Sequence, residues 1–239
     1  WVFAFILGIS AIFYPTIWRQ VIRPTASSEL VIQGETPVYE FVAETVRQNI
    51  LSLKNPFAKT DQVLYPVGWK FALDDVAPIN GFYFIFLRPF MTIHQSLMAI
   101  VLGGVFVSGI TMYTLLRLLK NTGIVALVSS LIFCFTPFVS ERIGAHPTYV
   151  ALYLFTLPAI FFIKLIGNTN NKILMAMLLG ISVALSFVTN LYFAVMLVLM
   201  ILILIIVYAI FYFKDTAKLL FSNLKYFFLA VIAMLVVLS

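Results

Sequence analysis

The chain has 239 residues, of which 63% are hydrophobic and only 10% charged, against roughly a quarter charged in soluble domains. No compact soluble fold of this length has the interior to hide so much apolar surface, so lipid must solvate most of it. The single cysteine, Cys134, excludes an internal disulfide and a cysteine-based metal site. The formal charge of +6 points to nucleic acid only if the charges cluster suitably. The first residue is Trp1 and the last residues are still apolar, so the expectation is an excerpt of a longer protein, cut inside a membrane segment at each end, with further carboxyl-terminal helices or a domain missing.

The apolar runs, in chain order, are Trp1–Trp18, Ser96–Leu116, Gly123–Val139, Tyr149–Ile166, Ile173–Val188, Leu191–Phe213 and Tyr226–Leu238. The first lacks the small-residue cleavage site of a signal peptide. A hydrocarbon core of roughly 30 Å needs about 20 helical residues, so each run is read as a transmembrane helix. Ile173–Phe213 would reach about 60 Å as one helix, twice the membrane thickness. Thr189-Asn190 is its only polar break, which predicts a tight hairpin of two helices. The expected fold is an all-α membrane protein, a single transmembrane module over residues 1–239 with seven spans and a long first extracytoplasmic loop, residues 19–95.

Loop charges give the expected orientation. With the start of the first span in the cytoplasm, the inner loops hold seven basic residues and one acid, Asp215, while the outer loops hold eight of each sign. The whole excess is then cytoplasmic, as the positive-inside rule requires. The excess is topological, and nucleic acid drops out as a partner; the partner implied is the bilayer.

The long outer loop carries the information, because connections of such length are usually functional. Thr36-Pro37 reads as a helix start with threonine as N-cap. Val38, Phe41, Val42, Val46, Ile50 and Leu53 then recur on one face, with Glu40, Glu44, Arg47 and Gln48 on the other, and Asn55-Pro56 ends the helix. The result is an amphipathic helix on the membrane surface or across the bundle. Proline and glycine punctuate the rest of the loop. Gly81–Phe90, rich in aromatics and interrupted by Arg88-Pro89, suits a helix or re-entrant piece at headgroup level.

Candidate chemistry collects at this face. Glu35 stands ahead of the loop helix and faces the positive end of its dipole, which suits a general base; a solvated loop charge is the alternative. Asp74 and Asp75 are adjacent, so one could bind a divalent cation or accept a proton while the other caps an element, although no third ligand stands at recognisable spacing. Arg142 and His146 share a face if their turn is helical and could hold a phosphate; interfacial snorkelling and helix capping are the alternative. His94 reads as interfacial, and Ser182, Ser186 and Thr111 as interhelical packing positions. No charged residue or histidine lies in the middle of a span, so a midplane transport pathway is poorly supported.

Taken together, Gly34-Glu35, the amphipathic helix, Asn55-Pro56-Phe57, Tyr65-Pro66-Val67-Gly68, Asp75 with Ala77-Pro78-Ile79-Asn80, the span ending in Tyr113 and Arg117, Phe133, Phe135 and Pro137-Phe138, and Arg142 with Gly144 and His146 resemble the GT-C superfamily of polytopic membrane glycosyltransferases, in particular its prokaryotic members. The likeness covers about Val2 to Lys164. It implies a first extracytoplasmic loop whose acid, here Glu35, deprotonates the acceptor hydroxyl, and a polyprenyl-phosphate sugar donor. Asp75 corresponds to a second acidic position, and Asp74, Arg142, His146 and Arg88 would assist in binding substrate. Aspartate is commoner than glutamate at the first position. The resemblance implies no organic cofactor, with a divalent cation at Glu35, Asp74 or Asp75 left open. The acceptor, whether glycan, lipid or protein, also stays open. The implied location is a prokaryotic cytoplasmic membrane. Two rival readings remain: a non-catalytic protein that binds or assembles lipid-linked glycans, and a transporter or flippase.

Overall fold

A computed structural model describes residues 2–22, 35–64, 66–70, 76–167, 170–211 and 213–238. Among these the chain is helical: α1 Val2–Phe13, α2 Pro15–Ile22, α3 Thr36–Leu51, α4 Asn80–Leu87, α5 Ile93–Leu118, α6 Gly123–Cys134, α7 Pro137–Ala145, α8 Tyr153–Ile166, α9 Lys172–Thr189, α10 Leu191–Phe211 and α11 Phe213–Leu238. A 3-10 turn, Pro147–Val150, leads into α8. One isolated antiparallel bridge, Thr60 to Trp69, holds the long loop. Gly68, at φ +69° between these partners, fills a position where a side chain would strike Lys59 and Asp61.

Five helical stretches are long and apolar enough to cross a membrane, and seven are if two bent pairs each count as one. The protein therefore reads as an integral membrane protein. The first apolar run is not a straight rod. It bends by 101° between α1 and α2, because Pro15 lacks an N–H and disfavours helix at Tyr14. At 12 residues, α1 alone extends about 18 Å. Side chains close the corner: Trp18 Nε1 donates to Ser10 Oγ (3.2 Å), and the Tyr14 hydroxyl donates to the Cys134 carbonyl (3.1 Å). Pro137 similarly bends α6 against α7 by 41°, with Thr136 Oγ1 capping the Val139 N–H.

The contacts group into two compact units, Trp1–Tyr153 with Val188–Asn190, and Leu154–Phe187 with Leu191–Ser239. In the first, α5 is the axis. Gly109 lets Ile6 of α1 and Cys134 of α6 approach it, and the Cys134 thiol donates to the Val105 carbonyl. A capping box of Thr92 and Gln95 starts α5.

Helix α3 packs on α4 and α5, with a buried face that differs from the expected one. Tyr39, Val42, Ala43 and Val46 are wholly buried, whereas Val38 and Leu53 are exposed. Ala43 and Val46 meet Gly81 of α4, where a Cβ would collide with the Val46 side chain and the Ala43 carbonyl. The stripe is therefore set by close approach of α4 as much as by hydrophobicity. The end of α3 is also earlier than Asn55-Pro56. Ser52 is the C-cap, Leu53 turns left-handed at φ +54°, and the Lys54 N–H returns to the Asn49 carbonyl.

In the second unit, Lys172 Nζ at the start of α9 donates to Asn223 Oδ1 of α11 (2.8 Å), and further along Gly180 lies against Ala230. The two helices thus run in the same direction. The helix between them, α10, must return, so the break at Asn190 makes the expected hairpin. Ser186 crosses to α8 at the Leu154 carbonyl (3.2 Å); Ser182 and Thr111 instead bond carbonyls of their own helices.

Gly81→Val should lower the thermal stability of the detergent-solubilised protein by about 1–3 kcal/mol through overpacking. Gly103→Ala, where an added methyl meets nothing within 4 Å, should leave it unchanged or raise it by up to about 1 kcal/mol.

Candidate functional site

Glu35, not Thr36, is the N-cap of α3. Its carbonyl accepts from the N–H groups of Val38 (2.9 Å) and Tyr39 (3.3 Å), and Pro37 sits inside the first turn, where a missing N–H costs nothing. The Glu35 side chain makes no capping bond and turns instead to the end of α7. Its Oε2 lies 2.9 Å from Nδ1 of His146, 111 residues away. The Tyr39 hydroxyl donates to the same oxygen at 3.2 Å. Oε1 makes no hydrogen bond to the described residues.

His146 is held where α7 gives way to the 3-10 turn. Its N–H donates to the Arg142 carbonyl (2.8 Å), and its own carbonyl accepts from the Tyr149 N–H (3.0 Å). The Tyr149 ring packs edge-on against the imidazole, centroids 5.6 Å apart. The Arg142 guanidinium stands 5.6 Å from the ring centroids of both Phe138 and Tyr149, so Arg142 and His146 do share a face. Among the described residues no carboxylate pairs with Arg142. Cation–π contact orients a guanidinium without using its N–H donors.

Beneath this surface the polar groups are buried. The Tyr39 hydroxyl is 3.4 Å from Thr148 Oγ1, which accepts from Asn190 Nδ2 at 3.4 Å. Tyr39 and Asn190 are wholly buried, while the side chains of Glu35 and His146 keep 51% and 31% of their exposure. The floor is fixed and the reactive groups are open. An ionised carboxylate only accepts, so an imidazole nitrogen that bonds it must carry a proton. Such a pair can take a proton from a hydroxyl placed over it.

Of the expected site residues, Glu35, Arg142 and His146 therefore come together. Arg88 lies elsewhere: its Nε is 3.3 Å from Glu44 Oε2 and its Nη1 donates to the Met91 carbonyl at 2.6 Å. Glu44 also holds Arg47 at 3.0 Å, so Arg88 fastens α4 to α3. Asp74 and Asp75 lie outside the described residues. Among the described residues no group of three or more His, Cys, Asp or Glu side chains could hold a metal. His94 sits at the start of α5 with Nδ1 2.7 Å from Glu40 Oε1 and a buried Nε2 that has no partner among the described residues.

Sequence reasoning passed over Tyr39, Thr148 and Tyr149. The available signals were the four-residue spacing of Tyr39 from Glu35, which stacks them on one face, and the three-residue spacing of Tyr149 from His146. Asn190 was legible as a polar break but not as a partner. Thr148 carries no signal in the sequence.

Residues 6–239 match the family model described as Domain of unknown function (DUF6311). The chain belongs to that family. No curated protein and no solved structure matches it.

The two carboxylate–imidazole pairs differ in burial, and so should their substitutions. Glu40→Gln should cost about 1–2 kcal/mol of stability, since its partner's ring is enclosed. Glu35→Gln should cost less than about 1 kcal/mol, as for exposed pairs. Thermal unfolding of both variants beside the native chain measures the difference.

Proposed function

We propose that this protein is a membrane glycosyltransferase of GT-C type, which transfers a sugar from a polyprenyl-phosphate-linked donor to an acceptor on the extracytoplasmic face. The observation that carries the reading is the meeting of Glu35 with His146 beside an Arg142 that no described carboxylate neutralises. Displacement at an anomeric carbon needs a base on the acceptor side and a cation on the leaving-group side. Glu35 offers the first, and Arg142, one helical turn before His146, offers the second.

In this mechanism the acceptor hydroxyl oxygen attacks the anomeric carbon, and its proton passes to Oε1 of Glu35. The bond between that carbon and the phosphate oxygen breaks, and the polyprenyl phosphate leaves with the electron pair. Arg142, held by two rings, offers its N–H fork to the phosphate. His146 fixes the carboxylate through Nδ1, and the Tyr39 hydroxyl holds the same oxygen from below. A lipid phosphate reacts where headgroups are, and the positive-inside distribution of the loops assigns this face to the outside. The reading also gives the protein its partners: the bilayer, the lipid-linked donor and an acceptor whose class is open. Asp75 would be the second acid of the loop, and Asp74 its neighbour in substrate binding.

Membranes containing the full chain, supplied with a labelled polyprenyl-phosphate hexose and an acceptor extract, should transfer sugar. Glu35→Gln should reduce transfer by at least about 10²-fold with unchanged expression, and Arg142→Ala should reduce it similarly, with Arg142→Lys recovering only part. Undiminished turnover by Glu35→Gln would remove the carboxylate from this role.

A further inference from the structure

The second unit carries a feature that the proposed reaction does not use. At the start of α9, Lys172 Nζ lies 5.8 Å from the centroid of the Tyr226 ring, and Lys225 Nζ lies 4.9 Å from the same centroid. Two ammonium groups thus share one aromatic ring. Among the described residues neither has a carboxylate partner. Lys172 is further fixed by Asn223, which is buried to 2% exposure. Two ammonium groups beside one ring, neither neutralised by a described carboxylate, favour an anion within their reach. The first-turn N–H groups of α9 add partial positive charge at the same place.

A groove of about 240 Å³ opens along the same helices, lined only by apolar side chains, Phe162, Gly180, Ile201, Phe227, Ala230 and Val231 among them. Gly180 lies eight residues beyond Lys172 on α9, and Ala230 seven beyond Asn223 on α11, about 10–12 Å along each axis. The pairing of Lys172 with Asn223 and of Gly180 with Ala230 sets these depths side by side. Phe162, stacked on Phe227 at 6.0 Å, stands one turn before the end of α8, where Lys164 lies. On α11 the groove reaches from Leu220, just before Asn223, past the lysine locus to Met234, so the polar locus flanks the apolar groove near one end. That is the division of a lipid into headgroup and chain.

We infer that Lys172, Lys225, Asn223 and Tyr226 form a binding site for the anionic headgroup of a membrane glycerophospholipid, whose acyl chain lies in the groove between α8, α9, α10 and α11. Charge selects the headgroup: lysines near a membrane surface attract anionic lipids, and basic pockets between spans hold their headgroups. The wholly apolar lining selects a hydrocarbon chain over a polar extension. Lys164 and Lys172 stand at the adjoining ends of α8 and α9, and Lys225, twelve residues into α11, is brought level with them by the bond of Lys172 to Asn223; in the positive-inside reading this side is the cytoplasmic leaflet, where anionic lipids attract basic segments.

The full-length protein, purified in mild detergent, tests this by native mass spectrometry. The probes are dioleoyl phosphatidylglycerol, dioleoyl phosphatidylcholine and glycerol 3-phosphate. Phosphatidylglycerol should be retained at a concentration at least tenfold lower than phosphatidylcholine. The double substitution Lys172→Gln with Lys225→Gln should abolish that preference, while Lys172→Arg with Lys225→Arg should keep it. Val231→Trp, which fills the groove, should weaken retention of both lipids, and unchanged helical circular dichroism shows that each variant is folded. Equal retention of the two lipids by the native chain overturns the proposal. So does a preference that survives the glutamine substitutions in a folded protein. Glycerol 3-phosphate bound as tightly as phosphatidylglycerol would also overturn it, by showing an anion site with no role for the chain.

Discussion

A buried phenol connects the parts of the first unit that matter for chemistry. The Tyr39 ring has no exposure, yet its hydroxyl reaches Glu35 Oε2 and lies beside Thr148 Oγ1, which in turn holds Asn190. A hydroxyl in such surroundings is costly unless bonded, so the requirement to satisfy it draws the start of α3, the 3-10 turn after α7 and the end of α9 to one point. The exposed pair of Glu35 and His146 rests on that buried chain. Exposed ion pairs are weak and flexible when unsupported, and this one is aimed by groups that have few alternatives. The site thus combines a fixed base with side chains open to a ligand.

The same division between buried fixing and exposed function separates the two carboxylate–imidazole contacts of α3. Glu40 meets His94 in an enclosed setting and fastens the loop helix to α5, as Glu44 does to Arg88 beyond α4. Glu35 meets His146 at the surface. Three acids on one helix therefore have different work, and only their surroundings tell them apart. The proposed transferase chemistry follows from the one that remains half-exposed beside an arginine.

Much of the fold was legible because membrane helices announce themselves by apolar length. The break at Asn190, the short helix at Gly81 and the sharing of a face by Arg142 and His146 all came from spacing or polarity in the chain. What escaped was set by contacts distant in sequence. Val42 and Val46 are buried with Phe41 and Ile50 packed against them, as the spacing implied, but Val38 and Leu53 are exposed, and the buried face extends instead to Tyr39 and to Ala43, which Gly81 admits. The end of α3 at Ser52 depended on Leu53 adopting a left-handed turn, which leucine composition does not suggest. Of the site, the charged members could be picked out by type, while Thr148 looks like any threonine. Arg88 seemed a ligand because arginine near aromatics suits an interface, and Glu44, 44 residues away, was no neighbour in the sequence.

The corner at Tyr14-Pro15 decides what the first apolar run can be. A straight rod would carry all of its side chains along one axis, whereas a turn of 101° sends Arg19 and Gln20 off in another direction from α1. Ile17 is buried against the protein while Ile22 is exposed, so the segment after the turn has one side anchored and another open to its surroundings.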